Sequence, residues 1–175
     1  MARFPDHPFW DFSLRVYGSE GVAPACLALQ EAHGIDVNLL LYCCWRGATG
    51  RGAVGEDGIA RLQSAVADWH GEVVRGLRAV RKRLKEPVAG EDRDLALAVR
   101  KHVQKTEIDA EHIEQLMLAA AGDALSAAAP GDPAADARAN AEAYLYHAGA
   151  VLDENGRDAL ATIVAAAVGS RPDRD

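Results

Sequence analysis

Apolar residues recur along this chain at the three- and four-residue spacing of an α-helix. The longest stripe consists of Ile59, Leu62, Val66, Trp69, Val73, Leu77, Val80 and Leu84. Capping residues, glycines and prolines divide the chain into seven predicted helices, over residues 8–18, 20–33, 37–46, 57–86, 91–125, 133–152 and 155–168. No β-branched stretch alternates with a period of two, so the sequence predicts an all-α, single-domain helical bundle.

The third predicted helix, residues 37–46, is apolar on nearly every side. A helix without a polar face is typical of a domain centre, so we expect this helix to be buried among the others. Asp36 precedes it and is the predicted N-cap. Asn38 either supports the same turn or presents its amide to a ligand or a partner.

The chain divides into one core and one extension. We expect residues 1–126 to form the helical core domain. Residues 127–175 are rich in alanine and are expected to form a C-terminal helical extension that packs on the core. The final residues are polar, and we expect them to fray.

Composition and charge narrow the class of protein. The net charge of −7 works against binding of the whole surface to nucleic acid or anionic lipid. No apolar run is long enough to span a membrane and the N-terminus lacks a signal-peptide pattern, so we expect a cytoplasmic protein without a membrane partner. The three cysteines, Cys26, Cys43 and Cys44, are expected to pack in the core as small apolar residues.

Residues 75–85 carry six cations and no acid: Arg75, Arg78, Arg81, Lys82, Arg83 and Lys85. By regular helical geometry, Arg75, Arg78, Lys82 and Lys85 share the face opposite the apolar stripe. Such a run is usually a solvated face, and phosphate or nucleic-acid binding is the alternative. No aromatic residue is interleaved for base stacking, which argues against nucleic acid. Arg81 lies at the border of the apolar stripe, on the same flank as His70.

Three glutamates of the fifth predicted helix, Glu107, Glu111 and Glu114, form a carboxylate ridge beside its apolar stripe. The simplest interpretation pairs the ridge with Arg78 and Arg81 of an antiparallel fourth helix, as interhelical salt bridges. The alternative is a small-molecule or anion site between these helices, with arginine holding the anion and glutamate acting as a base. The candidate residues of that site are His70, Arg78, Arg81, Glu107 and Glu111.

Metal and cofactor sites are not expected. A helical di-iron site needs Glu-x-x-His motifs on two helices, and the one related pattern runs from Asp109 to His112. His102, Thr106 and Asp109 lie four and three residues apart and predict a polar network inside the bundle. Alternatively, His102 and Asp109 line a pocket together with His70 and Arg81.

Three separated motifs occur together: FWDFSLRVY at 9–17, the stretch from LQ at 29–30 through DVNLLL at 36–41 to Trp45, and WHGEVV at 69–74 leading to LRAVR at 77–81. With the glutamate ridge, they resemble an uncharacterised family of small proteobacterial cytosolic proteins, known as a domain of unknown function. The resemblance covers roughly residues 9–118, and it implies that the segment from Ala119 onward is lineage-specific. It also implies a bacterial, cytoplasmic, helical protein and carries over no activity, cofactor or catalytic residue.

Function is not decided by the sequence. Without a complete catalytic or metal constellation, the sequence favours a non-catalytic protein that binds a protein partner or forms a homo-oligomer. A small anionic ligand, with or without catalysis, bound between the fourth and fifth helices is the alternative. Nucleic-acid contact through the basic face at 75–85 is a third hypothesis.

Overall fold

A computed structural model describes residues 4–125, 129 and 131–169, and these residues form seven helices and no strand. The first three are α1 (Pro8–Tyr17), α2 (Val22–His33) and α3 (Val37–Ala48). Helix α4 consists of three consecutive segments, Glu56–Asp68, the π-helical Trp69–Val74 and Arg75–Arg83. The last three are α5 (Arg93–Asp123), α6 (Pro133–His147) and α7 (Glu154–Gly169). The predicted all-α bundle of about seven helices is confirmed.

Helix α3 lies at the centre of the bundle, and every one of its residues from 38 to 48 is buried. Its aromatic rings Tyr42 and Trp45 pack against Phe9 of α1, with ring centroids 5.0 and 5.3 Å apart. Cys43 and Cys44 are fully buried in the same core. The predicted buried central helix is therefore confirmed, and its thiols are core residues.

Helix α6 packs on α3 through a close approach of the two backbones. A Cβ atom at Gly47 would overlap the backbone nitrogen and Cα of Ala137. Nearby, the buried Asn140 donates through Nδ2 to the carbonyl oxygens of Cys43 and Gly52, at 3.3 and 3.2 Å. Its Oδ1 accepts the backbone N–H of Val54 at 2.6 Å. Hydrogen bonds and close packing together hold α6 on the central helix.

Helices α4 and α5 are antiparallel. Trp69 donates its indole N–H to the carbonyl oxygen of Ala110 at 2.9 Å, whereas Arg78, further along α4, reaches the earlier residue Glu107. The first half of α5 extends away from the core, so that Leu95 and Val99 are 66% and 49% exposed. The predicted antiparallel arrangement of these helices is confirmed.

The helix boundaries near the C-terminus differ from the prediction. Helix α6 ends at His147 rather than at residue 152, because the chain turns at Gly149, whose φ is 72°. Asp153 then accepts the backbone N–H of Gly156 through Oδ1, at 2.8 Å, and starts α7.

Two expectations lie partly outside the described residues. The proposed boundary between residues 126 and 127 is one of them, and the frayed end beyond residue 169 is the other. Among the described helices, none is both long and apolar enough to cross a membrane.

Candidate functional site between α3, α4 and α5

Arg78 connects three helices through its three guanidinium nitrogens. Nε donates to Glu107 Oε1 at 3.0 Å and Nη2 donates to Glu111 Oε1 at 2.8 Å, both on α5. Nη1 donates to Gln30 Oε1 of α2 at 2.7 Å. Arg81 donates to both carboxylate oxygens of Glu107, through Nη2 at 3.1 Å and through Nε. We call these five residues the arginine–glutamate network.

The two carboxylates of the network differ in their electrostatics. Burial raises the pKa of Glu107, but hydrogen bonds from Arg81 and Arg78 outweigh burial and hold the pKa below its usual value. Burial raises the pKa of Glu111, and the charge of Arg78 offsets this only in part. Glu107 is therefore firmly ionised, and Glu111 takes up a proton more easily.

A second group of polar side chains lies beside the network. His70 Nδ1 is 2.8 Å from Glu114 Oε1 and 3.5 Å from Asp36 Oδ2. Glu114 is completely buried and Asp36 is 8% exposed. One potential ligand atom from each residue lies within 4.8 Å of the other two. Two carboxylates and one imidazole thus share a small buried volume, which we call the Asp36–His70–Glu114 cluster.

Neighbouring groups hold the two carboxylates of the cluster in place. Asp36 Oδ1 caps α3 by accepting the backbone N–H of Asn38 at 2.8 Å. Glu114 Oε2 accepts from Asn38 Nδ2 at 2.6 Å, and Asn38 Oδ1 in turn accepts from Gln115 Nε2 at 2.8 Å. The backbone N–H of Asp36 donates to the hydroxyl of Tyr144 at 2.8 Å. The predicted cap is confirmed, and Asn38 links the cap to α5.

The electrostatics of the cluster favour the binding of protons. Burial raises the pKa of Asp36 to about 7, and the charge of Glu114 adds to this effect, while His70 and the backbone hydrogen bonds oppose it. Burial lowers the pKa of His70, but the hydrogen bond to Glu114 and the charge of Asp36 outweigh burial, so the pKa is raised above 6.5. Both shifts show that the cluster favours added positive charge.

The π-helical segment of α4 presents His70 to this cluster. In such a segment the backbone hydrogen bonds run from residue i to i+5, and π turns inside α-helices occur frequently at functional sites. The indole hydrogen bond of Trp69 to the backbone of α5 anchors the start of the segment. Gly71 follows, and a side chain there would meet no atom within 4 Å. The segment that contains His70 is therefore an irregular turn that is held against α5 at its first residue.

A cavity of about 600 Å³ opens beside the arginine–glutamate network, and residues of α1 to α5 line it. Its apolar wall includes Leu14, Leu41 and Ile108, and its polar lining includes Asp36, Asn38, Gln115, Glu107 and Glu111. Lys82 and Lys85, which are both exposed, also line it. A smaller cavity of about 350 Å³ is lined by His70 and shares Gln30 and Arg78 with the larger one.

The structure brings four of the five candidate residues into one network and places the fifth next to it. Arg78 and Arg81 form the predicted salt bridges with Glu107 and Glu111. His70 contacts none of these four and belongs to the neighbouring cluster instead. Glu114, the last member of the predicted ridge, pairs with His70 rather than with an arginine.

The position of Arg78 was predicted wrongly. Regular helical spacing placed it on the solvent face with Arg75, Lys82 and Lys85, and those three are indeed exposed. The side chain of Arg78, however, is 17% exposed and packs against α5. The π-helical segment takes an additional residue into its turn and so rotates the rest of α4 relative to a regular helix.

The predicted internal polar network of His102, Thr106 and Asp109 is also wrong. His102 and Thr106 are exposed, and the hydroxyl of Thr106 donates to the carbonyl oxygen of His102 on its own helix. The reason is that α5 leaves the core before Glu107, so its apolar stripe is not covered there. For the same reason, His102 does not line either cavity.

Together, these helices and polar groups define an all-helical protein in which a buried central helix meets a cavity and a carboxylate–imidazole cluster. Residues 8–118, more than half of the chain, match the sequence profile of the family described as "Protein of unknown function (DUF2390)". The chain belongs to this family. The matched region contains the cluster and the whole arginine–glutamate network, whereas Tyr144 lies beyond it. No curated protein and no solved structure shows significant similarity to the chain.

Proposed function

We propose that the protein binds a small amphipathic molecule with a carboxylate or phosphate group in the cavity of about 600 Å³. The observation that carries the proposal is that an apolar wall and two exposed lysines, Lys82 and Lys85, line the same cavity. Ligand sites generally have this character, a largely apolar concave surface with a few polar groups that fix the orientation.

The lysines supply the positive charge for the anionic group. Within the described residues, neither Lys82 nor Lys85 has an ion-pair partner, although both line the cavity. Arg78 and Arg81 line it too, but Glu107 and Glu111 already neutralise them. We therefore expect the anionic group of the ligand beside Lys82 and Lys85, where charge-assisted hydrogen bonds are available.

The apolar wall accounts for the remainder of the ligand. Leu14 and Ile108 are 55% and 45% exposed, although both line the cavity. Apolar side chains grouped in a concavity mark a binding surface, unlike single ones scattered over the surface. Tyr17, which is 39% exposed, extends the same wall. An aliphatic or aromatic group of the ligand would cover these side chains.

Glu107 is poorly suited to act as a catalytic base. A general base works best with a pKa near the working pH, and the two arginines hold the pKa of this carboxyl below its usual value. Glu107 is thereby suited to fixing Arg78 and Arg81 rather than to removing a proton from a ligand.

The test is calorimetric titration with octanoate, benzoate and phenyl phosphate, with octan-1-ol as the uncharged probe, all in the presence of a chelator. We expect at least one charged probe to bind and octan-1-ol to bind more weakly. Lys82→Gln should lower the affinity by about tenfold or more, because a hydrogen bond to a charged group contributes roughly 1.5–3 kcal/mol.

Arg83→Gln is the matched control, because Arg83 is an exposed cation next to Lys82 that does not line the cavity. Its affinity for the same probe should equal that of the wild type. The proposal is rejected if none of the charged probes binds, or if Lys82→Gln binds them as well as Arg83→Gln does.

A second candidate function, self-association, is favoured by the exposed face of α5. Leu95 and Val99 lie one turn apart and are largely exposed. An antiparallel pair of α5 helices centred near Val99 would cover these residues and would bring Asp94 close to Lys105 of the partner subunit. Because the two ends of this face carry opposite charges, a second copy of the chain is the complementary occupant.

Sedimentation equilibrium tests self-association. Leu95→Glu should shift the protein toward the monomer by introducing a charge within the apolar part of the contact. Gln104→Glu adds the same charge on the opposite side of α5 and should leave the equilibrium unchanged. A wild-type protein that is monomeric across the concentration range would exclude this function.

A further inference from the structure

The Asp36–His70–Glu114 cluster combines three side chains that no stretch of sequence brings together. Asp36 precedes α3, His70 lies in the π-helical segment of α4, and Glu114 lies on α5. One potential ligand atom of each residue lies within 4.8 Å of the other two, and His70 Nδ1 is 2.8 Å from Glu114 Oε1 and 3.5 Å from Asp36 Oδ2. This spacing is compatible with three donors around one ion, since metal–donor bonds of about 2.0–2.2 Å place the donors roughly 3–4 Å apart.

One donor of this cluster has no hydrogen bond. Asp36 Oδ2 is buried and without a hydrogen-bond partner among the described residues, and the whole residue is 8% exposed. Its other oxygen is occupied by the cap of α3. His70 Nδ1 carries at most one proton, and Glu114 Oε1, at 2.8 Å, is the closer acceptor. A buried carboxylate oxygen therefore faces the imidazole unsatisfied, which is costly unless a cation meets it.

The charge of the cluster also favours a bound cation. When both carboxylates are ionised, which for Asp36 requires a pH above its raised pKa, the net charge is −1 if His70 is protonated and −2 if it is neutral. Among the described basic side chains, His70 alone forms an ion pair with Asp36 or Glu114. A divalent cation would replace the shared proton of Nδ1 and neutralise two carboxylates in a region of low dielectric constant.

We propose that Asp36, His70 and Glu114 bind one divalent transition-metal ion. The donor set of one imidazole nitrogen and two carboxylate oxygens suits Mn²⁺, Fe²⁺, Co²⁺ or Zn²⁺ better than Mg²⁺ or Ca²⁺, which prefer all-oxygen sites. The paired Glu-x-x-His motifs sought in the sequence describe another kind of site, in which two ions share four helices.

The surroundings of the three donors resemble the outer shell of a metal site. Ligating carboxylates are usually oriented by further hydrogen bonds, and these partners tune the affinity. Here Asn38 holds the second oxygen of Glu114, Gln115 holds Asn38, and Tyr144 holds the backbone at Asp36. The donors are thus oriented independently of any ion.

Three protein donors leave coordination positions for water or for a ligand. Asp36 lines the cavity of about 600 Å³ and His70 lines that of about 350 Å³, so both cavities adjoin the donors. The ion would therefore be reached from solvent through a cavity. The metal proposal does not depend on the anion proposal, because Lys82 and Lys85 supply no donor.

The experiment is calorimetric titration of the chelator-treated full chain with MnCl₂, CoCl₂, ZnCl₂ and MgCl₂, with the bound metal counted by mass spectrometry. We expect one equivalent of at least one transition metal to bind, and Mg²⁺ to bind more weakly. With Co²⁺, the visible absorption spectrum should show d–d bands that indicate nitrogen and oxygen ligands.

Two variants remove a carboxylate donor while retaining the hydrogen bonds that its residue makes to the rest of the fold. Asp36→Asn retains a good N-cap for α3, and Glu114→Gln retains an acceptor for Asn38. Each should lower the affinity at least tenfold, in line with the loss of a ligand. Circular dichroism and the melting temperature establish that each variant is folded, and Glu114→Gln decides the question if Asp36→Asn does not fold.

Asp109→Asn and His102→Asn are the matched controls, since they remove a carboxylate on the same helix and an exposed histidine, and neither residue lines either cavity. Both should bind the metal as the wild type does. The proposal fails if no transition metal binds stoichiometrically, or if both donor variants bind as tightly as these controls, which would indicate adventitious surface binding. Neither result bears on the proposed anion site, because the titrations with anionic probes are made in the presence of a chelator.

Discussion

Arg78 Nε and Glu107 Oε1 lie 3.0 Å apart across the contact between α4 and α5. The same guanidinium also reaches Gln30 of α2, so one side chain fixes α5 relative to two other helices. Few apolar contacts help to hold this part of α4 in place, since the third segment of α4 contains no buried residue. The position of this part of α4 therefore depends on polar contacts.

Arg78→Met should lower the free energy of unfolding by about 2–4 kcal/mol, because it leaves Glu107 and Glu111 with less compensation in a partly buried setting. Urea unfolding, followed by circular dichroism, measures this change. The control is Arg138→Met, which breaks the exposed pair with Glu142, where both side chains are about half exposed. That control should cost about 0–1 kcal/mol. Equal losses in the two variants would show that the network adds nothing beyond a surface ion pair.

The lowered pKa of Glu107 predicts how stability depends on acid. The folded chain binds fewer protons at this carboxyl than the unfolded chain does, so its contribution is present above the unfolded pKa of about 4.3 and is lost as the pH falls through the folded pKa. Glu107→Gln removes this contribution. The difference in unfolding free energy between the wild type and Glu107→Gln should therefore shrink as the pH falls from about 5 to about 3.

Urea unfolding at a series of pH values measures this difference, with Glu142→Gln as the control at an exposed ion pair. The control should differ little from the wild type throughout. A difference between wild type and Glu107→Gln that grows on acidification would contradict the assignment of an ionised Glu107.

Gly47 and Gly76 form a matched pair of helical glycines with opposite expected effects. Gly47→Ala should destabilise the protein by about 3 kcal/mol, because the methyl group would overlap the backbone of α6. Gly76→Ala meets no atom within 4 Å and should stabilise α4 by up to about 1 kcal/mol through helix propensity. Thermal and urea unfolding measure both, and a neutral Gly47→Ala would exclude the close approach of α3 and α6.

The three thiols should be unreactive in the native protein. Burial raises the pKa of Cys26 and of Cys44 to about 12 and raises that of Cys43 as well. The thiolate is the reactive form, so native protein at about pH 8 should react with a thiol reagent only slowly. All three should react in urea. Ser64→Cys, at an exposed position of α4, should add one fast-reacting thiol, and fast reaction of the wild type itself would contradict the buried core.

The features that could be predicted from sequence each depend on a signal within one helix. The apolar composition of α3 indicated its burial, and the spacing of Glu107 and Glu111 indicated a ridge that arginines would meet. These patterns hold in the folded protein because residues i, i+3 and i+4 lie on one face of any regular helix.

The Asp36–His70–Glu114 cluster could not be predicted in the same way. Asp36 had a sufficient explanation as a cap, and Glu114 was assigned to the ridge. His70 was recognised as a candidate, but its partners lie on two other elements at a distance along the chain. The one signal available was the crowding of Asp36 and Asn38 at the start of an otherwise apolar helix. Sequence spacing alone does not show which helix faces that turn.

The π-helical segment also determines which residues of α4 can share a partner. His70 and Arg78 are eight residues apart, which is about 80° around a regular α-helix. A turn that takes up one more residue gives them the relation of residues seven apart, about 20°, so both face α5. The segment thus behaves as a one-residue insertion whose effect on register is absorbed within a single turn. Deletion of the exposed Glu72 would convert the π turn into a regular α-helical turn and leave the later contacts of α4 in place. Deletion of Arg61, in a regular α-helical segment, would instead put every later contact of α4 out of register.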